Sequence, residues 1–589
     1  MFHVGVTGHR ALPEAAVPAI AKTVSAVLTT IEAMVRGIAD AETRLVPETG
    51  APLLRVISSL AEGADQLVAE AALERGWELQ CPLPFAREEY AKDFSGAAAE
   101  RFGALLARAT SVFEHDGDRR HADWAYLEAG RTMLAQSDLV IAVWDGQPSR
   151  GTGGTAEVVR EALARGIPVV RIDPAKPEVP VLLGTSPNGR DWAAGVQKYL
   201  DDLLSLEGHK GLGRLRTYLS SVQDLRNYAW AYQFFRSVFS GERWSIKQSR
   251  RALYSRAVDT WPVQWRAELP TLSRIGERID AGVGEHYAWA NGLAETNTGI
   301  FRSAYILRYF LVTLAVLWGA IGFYAPISLG WKGFVAQALC LLAAIWLILR
   351  DNCRGWQRKG IEYRWLAEQL RIHRYLLPLG RTVLPVTQHG HPIYEGPRWA
   401  RRHVRCIVRR IGLVHGRVDA TYLRAHRAIV LEHEIAGLGG QWRYHNKNAK
   451  RNRRIADRLR RWAMRFFVVG FVAIVVRMGL WAWAPASKPW SEMGLVDLLW
   501  VLEKAAAATL PALGVMFSSM GSHGEFKRLA ARSRAMAKYL CARTVAFRAN
   551  DSPTWTEAVD DTLQLAQSLR AEVSDWSTVM EGRKLALPV

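Results

Sequence analysis

Three glycine-bearing stretches within the first 160 residues hold side chains able to meet a phosphorylated sugar. The first is Thr7-Gly8-His9-Arg10, where glycine lets backbone approach a ligand closely and Arg10 offers a forked donor to a phosphate. The second, Ser58-Ser59-Leu60-Ala61-Glu62-Gly63-Ala64-Asp65, runs into an alanine-rich stretch. There Gly63 makes a tight turn, and the free amides at a helix start form an anion site. The third is Trp144-Asp145-Gly146, followed by Gly151-Thr152-Gly153-Gly154-Thr155-Ala156-Glu157. A glycine-rich loop entering a helix converges several N–H groups on a phosphate, and threonine hydroxyls add donors. Asp145 or Glu157 would hold a ribose hydroxyl or, in an enzyme, polarise a glycosidic bond. The only catalytic candidates are Glu157 and Arg10.

Each stretch alone is ordinary architecture, since glycine turns and Ser, Thr or Asp caps are common at strand-to-helix joints. His9 has a bland reading too, as a hydrogen-bonder within its own turn. Together, at corresponding ends of one sheet, the three stretches predict a site for a nucleotide-type small molecule, with no covalent cofactor and no metal. The spacing G-x-x-x-x-G-K-[ST] does not occur, so ATP hydrolysis is not indicated. The five cysteines are scattered without a C-x-x-C pair, which points away from a disulfide framework or zinc knuckle and fits a reducing compartment.

The elements that must position these turns are legible as β-branched runs: HVGVT near residue 3, LLRVISS from Leu53, WELQCPL from Trp77, DLVIAVW from Asp138 and PVVRI from Pro168. Alternating with helical stretches, they predict a Rossmann-like, doubly wound parallel sheet over residues 1–178. Ligands in such sheets bind outside the carboxyl ends of the strands, which is where all three stretches fall.

Behind this domain the chain turns apolar, and a bilayer core asks for about 20 apolar residues as helix. Tyr309 to Trp331 and Gly333 to Leu349 are free of charge and predict a hairpin within 301–350. Phe466 to Ala484, interrupted only by Arg477, and Ala505 to Gly524 predict a second within 463–524. Residues 179–300 read as a helical connector, either transmitting a signal to the first hairpin or serving as a spacer. Arg477 has two readings: a residue near the outer headgroups of a short helix, or a pore-lining charge paired with Asp497 or Glu503. Pro511, Gly514, Gly521 and Gly524 make the fourth span kinked and suited to close packing.

The formal charge of +20 is concentrated: residues 350–465 carry 27 Lys and Arg against 8 Asp and Glu. Beside apolar runs this predicts a basic cytoplasmic segment, 351–462, in contact with anionic lipid. Nucleic-acid binding is the rival and is disfavoured by that placement. After each hairpin comes an amphipathic stretch, RKGIEYRWLAEQLRIHRYLL and then FKRLAARSRAMAKYLCARTVAF, the latter opening the C-terminal segment 525–589. They are expected as cytosolic extensions packing in a homo-oligomer, or as helices lying along the membrane. The N-terminus lacks the features of a signal peptide. The expected placement is multi-pass in a bacterial inner membrane, with both termini cytoplasmic.

The run VISSLAEGADQLVAEAALERGWELQCPLPF resembles the second strand and turn of DNA-processing proteins of the Smf type. WDGQPSRGTGGTAEVVREALARGIPVV resembles the glycine-threonine-glutamate loop of the LOG nucleotide hydrolases. Together they resemble the SLOG superfamily over roughly the first 175 residues. The hairpins with trailing YRWLAEQLR-type helices resemble SLATT domains, the first more closely than the second. The resemblance implies a cytosolic part that senses a nucleotide-derived signal and a membrane part that acts on it in bacterial conflict, by opening a pore during phage infection. LOG enzymes carry P-G-G-x-G-T-x-x-E, whereas here GGT is followed directly by Ala156 and Glu157 without the leading proline. That departure weighs against catalysis more than against binding. Three functions remain in order: a ligand-gated membrane effector, a membrane-anchored nucleotide hydrolase, and a structural membrane protein whose α/β domain has lost its ligand.

Overall fold

Backbone groups leaving water must be paired, and the described residues up to Leu204 pair them in a sheet flanked by helices. The computed structural model describes residues 1–43, 54–148, 153–184, 191–204, 206, 208–221, 230–242, 270–324, 327–383, 396–437, 440–481, 495–550 and 552–581. The order begins β1 (Phe2–Gly8), α1 (Val17–Thr43), β2 (Leu54–Ile57), α2 (Ala64–Glu74), β3 (Glu78–Leu83), α3 (Arg87–Tyr90) and α4 (Gly96–Ala107). It continues with β4 (Ser111–Glu114), α5 (Ala122–Gln136), β5 (Leu139–Val143), α6 (Thr155–Ala164), β6 (Val169–Asp173), β7 (Lys176–Leu183) and α7 (Trp192–Leu204).

The remainder comprises α8 (Gly208–Leu219), α9 (Trp230–Ser240), α10 (Pro270–Ile279), α11 (Glu285–Tyr324), α12 (Ile327–Arg354), α13 (Trp356–Leu376) and α14 (Arg398–Ile411). Then come β8 (Gly416–Arg417), α15 (Ala420–Ile429), α16 (Gln441–Trp481), α17 (Leu495–His523), α18 (Phe526–Ala549) and α19 (Trp555–Glu581).

The sheet has the order β7-β6-β5-β1-β2-β3-β4-β8, parallel except for β7. Its central strands are buried, β5 throughout and β1 up to the half-exposed Thr7 and Gly8 at its carboxyl end, as expected of strands covered on both faces. On one face lie α1, α2 and α7, whose Ile20, Val24, Ile31, Val68 and Leu200 join one core. On the other, Met133 and Leu134 of α5 and Val158 and Val159 of α6 pack on Val140 and Val169. The chain runs outward from β1 through β4, then returns to lay β5 against the other side of β1. The switch point therefore falls between β1 and β5.

This α/β domain does not stop at residue 178. Strand β7 crosses that boundary, and the far edge of the sheet is completed by β8, pairing Phe113 with Gly416 and Glu114 with Arg417. The edge strand β4 recruits β8 because an unpaired strand edge leaves N–H and C=O groups unsatisfied.

Five helical stretches among the described residues are long and apolar enough to cross a membrane: Glu14–Ala39, Leu272–Tyr324, Gly330–Arg354, Ala420–Gly479 and Glu503–Ala549. The first coincides with α1, whose apolar stripe is spent on the sheet. The other four expose apolar side chains in a belt, including Phe323 on α11, Leu342 on α12 and Phe471 and Met478 on α16. Small residues bring the partners together: a Cβ on Gly333 would meet Gly322 of α11 at 2.7 Å, and one on Gly470 would meet Pro511 at 2.9 Å. Gly514 approaches Phe467 in the same way, whereas Gly521 meets only Leu459, at 3.9 Å.

The expectations for the polar stretches are corrected by the packing. Helix α13, expected as an extension into an oligomer or along the membrane, is buried over almost its whole length inside this chain. Its Trp365, Leu366 and Leu370 centre a second core with Trp399, Val408, Leu423 and Leu569. Helix α18 likewise buries Leu540 and Phe547 in that core. The positive surplus of 350–465 is divided: Arg371, Arg374, Arg381, Arg405, Arg409 and Arg427 are buried, while others, Arg453, Arg454, Arg460, Arg461 and Arg465 among them, are exposed. Arg371 bridges Glu368 and Glu434, Arg381 reaches Glu128 at 2.6 Å, and Arg427 reaches Asp561 at 3.0 Å. Buried guanidinium groups persist only when paired, and these are.

Candidate functional site

The first turn leaves the carboxyl end of β1, the strand at the switch point. The His9 N–H donates to the Val143 carbonyl at 3.0 Å, tying this turn to the end of β5. The N–H of Asp145 donates to His9 Nε2 at 3.3 Å, and the same nitrogen lies 3.2 Å from Asp145 Oδ1. The Gln147 N–H, accepted by Asp145 Oδ1 at 2.9 Å, and the nearby His9 hold this carboxyl below the usual carboxylate range. His9 and Asp145, singled out separately in the sequence, thus form a pair open to solvent.

The second turn is stitched to the first. Ala64 N–H donates to the His9 carbonyl at 3.2 Å. Gly63 has φ +84°, and a Cβ there would come within 2.2 Å of the Arg10 carbonyl oxygen. A Cβ on Gly8 would strike Ala64 at 2.4 Å and the Val143 carbonyl at 2.8 Å. These glycines are therefore required for turn to pack on turn, whatever binds outside them. Ser58 donates from its hydroxyl to Asp65 at 3.1 Å, and Leu60 adopts φ +58°, the left-handed region that a branched side chain rarely enters. Asp65 is buried, and desolvation pushes its carboxyl up to about 7 against the pull of Ser58 and Arg10. Thr7 and Ser59 are half-buried beside these turns, and Glu62 is exposed.

The third turn is described from Gly153 onward; Gly151 and Thr152 lie outside the described residues. Gly153 (φ +80°) presses on the start of α5, where a Cβ would meet the Asp123 carbonyl at 2.7 Å and Tyr126 Cβ at 3.3 Å. Gly154 precedes Thr155, the first residue of α6. The Glu157 carboxylate accepts from the Gly153 N–H at 2.8 Å, so it occupies one of the amides expected to cradle a phosphate.

Sequence reasoning missed the aromatic and acidic groups that join the turns. The Arg10 guanidinium lies 4.8 Å from the centroid of the Tyr126 ring. The Tyr126 hydroxyl donates to Asp93 at 2.5 Å, and Asp93 also accepts from Arg119 at 2.5 Å. Tyr126 therefore links Arg10, Asp93 and the Gly153 loop. The signal was present in DWAYLEAG, the first turns of a helix facing the switch point, but β4 before it went unrecognised.

Arg119 is engaged by Asp93 and Glu89, whereas Arg10 rests on a ring. With Asp145 and Glu157 in the turns and Asp93 behind Tyr126, the arrangement suits a ligand rich in hydroxyls and modest in negative charge more than a polyphosphate. Among the described residues no group of three His, Cys, Asp or Glu side chains is placed to hold a metal ion.

Arg477 sits at the far end of the helices, 5.5 Å from the centroid of Tyr324, the last residue of α11, whose ring Lys504 also approaches at 5.7 Å. Glu503 on α17 has no hydrogen-bond partner for either carboxylate oxygen among the described residues. The side chain of Asp497 lies outside them.

Fold and site together define an α/β domain with a parallel-dominated sheet, joined to a mostly helical region with several apolar helices. No protein-family model matches the chain, and the searches of curated proteins and of solved structures likewise found no match.

Proposed function

We propose that this protein is a bacterial inner-membrane effector whose α/β domain senses a nucleotide-derived small molecule and controls four membrane-spanning helices arranged as two hairpins. The observation that carries the reading is the placement of the two ends of the sheet. At the carboxyl ends, His9, Arg10, Asp65 and Asp145 converge beside the switch point. At the amino ends, α14 is seated on Asp138 and so ties the sheet to the helical body from which both hairpins leave. A ligand at one end biases the membrane helices only if it binds two arrangements of this unit with different affinity.

The exposed apolar belt on α11, α12, α16 and α17 supports lipid as its solvent, since such a surface does not persist in water. In this reading α1 is a domain helix, the α/β domain and both termini are cytoplasmic, and several copies of the chain assemble to open a pore. A role in anti-phage defence rests on the likeness to SLOG and SLATT modules. Membrane-anchored nucleotide hydrolysis is the second reading, favoured by the His9 and Asp145 pair.

The test uses the whole chain: mass spectrometry of small molecules retained on purification, followed by dye leakage from liposomes on adding the molecule found. Retention of a nucleotide derivative and leakage that depends on it are expected. Release of the full-length protein from membranes by alkaline carbonate, or leakage indifferent to the ligand, would overturn the reading.

A further inference from the structure

Helix α16 runs unbroken from the basic stretch 441–465 into the apolar run that starts at Phe466. Residues 441–465 hold ten Lys and Arg with Asp457 as the lone acid, and α18 holds seven Lys and Arg and no Asp or Glu. α18 returns beside α16, with Phe526 in the cluster that holds Ile455 and Leu459. The cations turned toward neighbouring helices are engaged: Arg458 donates to the Val238 carbonyl at 2.8 Å, Arg532 lies 3.7 Å from Asp575, and Arg543 lies 3.5 Å from Asp561.

The outward cations form a ladder. Arg443, Lys447, Lys450, Arg454 and Arg461 follow one another at steps of three, four or seven, so they line one face of α16, and all are exposed. Lys527, Arg534 and Lys538 of α18 are exposed as well. Arg443, Lys450, Arg454, Lys527, Arg534 and Lys538 have no hydrogen-bond or ion-pair partner among the described residues. The acid that feels Lys447, Glu242, is already bridged by Arg236.

Lipid accounts only for the near end of this ladder. A headgroup layer of about 7 Å and a screening length of about 8 Å together reach roughly 15 Å from the apolar boundary at Phe466. At about 1.5 Å per residue, Arg465, Arg461 and Arg460 fall inside that reach, whereas Arg454 stands about 18 Å out and Arg443 about 35 Å. Between Tyr444 and Trp462, α16 exposes no large apolar side chain. Protein interfaces are centred on such anchors, and single strands stack their bases on aromatic platforms. A duplex backbone needs neither, because cations alone meet its phosphates.

We propose that α16 and α18 form a cytosolic docking face for the phosphodiester backbone of a double-stranded nucleic acid, held without reading its sequence. The neighbouring apolar runs disfavour nucleic acid for the arginines at the boundary, not for the cations beyond it. This role is additional to ligand sensing by the α/β domain, and it uses the membrane-spanning reading of α16 only to set how far headgroups reach.

The test uses the full-length protein in nanodiscs of phosphatidylcholine, which has no net charge, and a fluorescent duplex DNA of about two helical turns, with binding followed by anisotropy between about 50 and 200 mM salt. Four engaged phosphates should weaken binding by about 100-fold over that range, each contributing about 0.9 to the logarithmic salt slope. Duplexes of unrelated sequence should bind alike. Lys450→Gln combined with Arg454→Gln should lower the slope by about 1.8 and leave the melting temperature unchanged. Lys22→Gln, at an exposed position of α1, should leave the slope as it was. Absence of salt-dependent duplex binding, or binding indifferent to the Lys450 and Arg454 changes, overturns the proposal. So does polyglutamate binding as tightly as a duplex of equal charge, which would make this a face for an acidic protein. Association with phosphatidylglycerol vesicles that the double variant loses, while duplex is ignored, would give the ladder to lipid instead. Carbonate extraction of the unmodified protein would sink the membrane reading, and the same titration of the extracted protein would still decide the ladder.

Discussion

Arg409 on α14 places its Nη2 2.7 Å from Oδ1 of Asp138, the residue that precedes β5, across 271 residues of chain. Arg405 grips the same carboxylate at 2.6 Å, the His3 N–H donates to it at 3.0 Å, and the Tyr199 hydroxyl donates to the Asp138 carbonyl at 2.9 Å. Arg55 of β2 extends the joint to the Arg410 carbonyl at 3.1 Å, and Gln80 of β3 accepts from the Leu413 N–H at 2.8 Å. The start of β5, with β2 and β3, thus holds α14 and the turn after it at the end of the sheet opposite the candidate site.

Asp138→Asn should therefore destabilise the protein by about 3–5 kcal/mol, because it leaves buried guanidinium groups without their anion. Burial alone would raise the Asp138 carboxyl, but Arg405 and Arg409 outweigh it and hold the group down to about 2. A carboxyl lowered by folding contributes stability that is complete above the unfolded value near 4 and is lost as pH falls through about 2. Thermal unfolding of detergent-solubilised protein should show that acid-side loss in the wild type and not in the variant; coincident curves would show that the joint carries no stability.

Asp65 has the opposite sign. Its carboxyl keeps a proton up to about 7 in the folded protein, whereas the unfolded chain gives it up near 4. Stability should fall as pH rises from about 4 to about 7 and level off above. Asp65→Asn should flatten that stretch of the melting-temperature profile. A slope unchanged by the substitution would assign the pH dependence to other groups.

Gly63→Ala places a methyl group against the Arg10 carbonyl in a left-handed backbone, at a cost of more than about 1 kcal/mol. The two turns it separates carry Arg10 and Asp65, so loss of the retained small molecule should accompany the lowered melting temperature. Membrane association should be unaltered. Full retention by this variant would move the binding site away from the switch point.

Arg10→Ala should weaken binding of a phosphate-bearing ligand by about 10- to 100-fold, the loss of one charge-assisted hydrogen bond. Glu157→Gln discriminates sensor from hydrolase. A hydrolase that polarises its substrate through Glu157 should lose turnover, whereas a sensor should keep ligand-dependent leakage, because glutamine still accepts from the Gly153 N–H. Isothermal titration and product analysis read the two effects separately.

Arg477→Leu should leave insertion and the ion selectivity of leakage unchanged, since Arg477 faces Tyr324 at the far end of the helices. A changed selectivity with insertion intact would make it a pore-lining charge.

Five of the eight strands among the described residues were legible because β1, β2, β5 and β6 are compact β-branched runs bounded by turn residues and β3 is a short apolar run ending at a proline turn. β4 went unread because SVFE is only four residues long, and β7 because Pro177 and Pro180 interrupt a polar edge. β8 had no local signal, being two residues whose pairing depends on β4 about 300 residues earlier in the chain. At the site, His9 and Asp145 were each visible as turn residues, but their meeting required the order of the sheet. Tyr126 and Asp93 lay in helical stretches whose proximity to Arg10 no spacing encodes.

By itself the sequence determined what backbone pairing and apolar length determine: a sheet of β-branched strands with turns at one end, and helices whose unbroken apolar runs are long enough for a bilayer. Those are local properties, settled within a few turns of chain. Only the tertiary structure decided the fate of the charges. RRHVRCIVRR reads as a solvated basic helix, yet Arg405 and Arg409, one turn apart on the same face, are buried on Asp138. Whether a charge is solvated or paired depends on the surface that packs over it, and that surface is assembled from segments hundreds of residues apart.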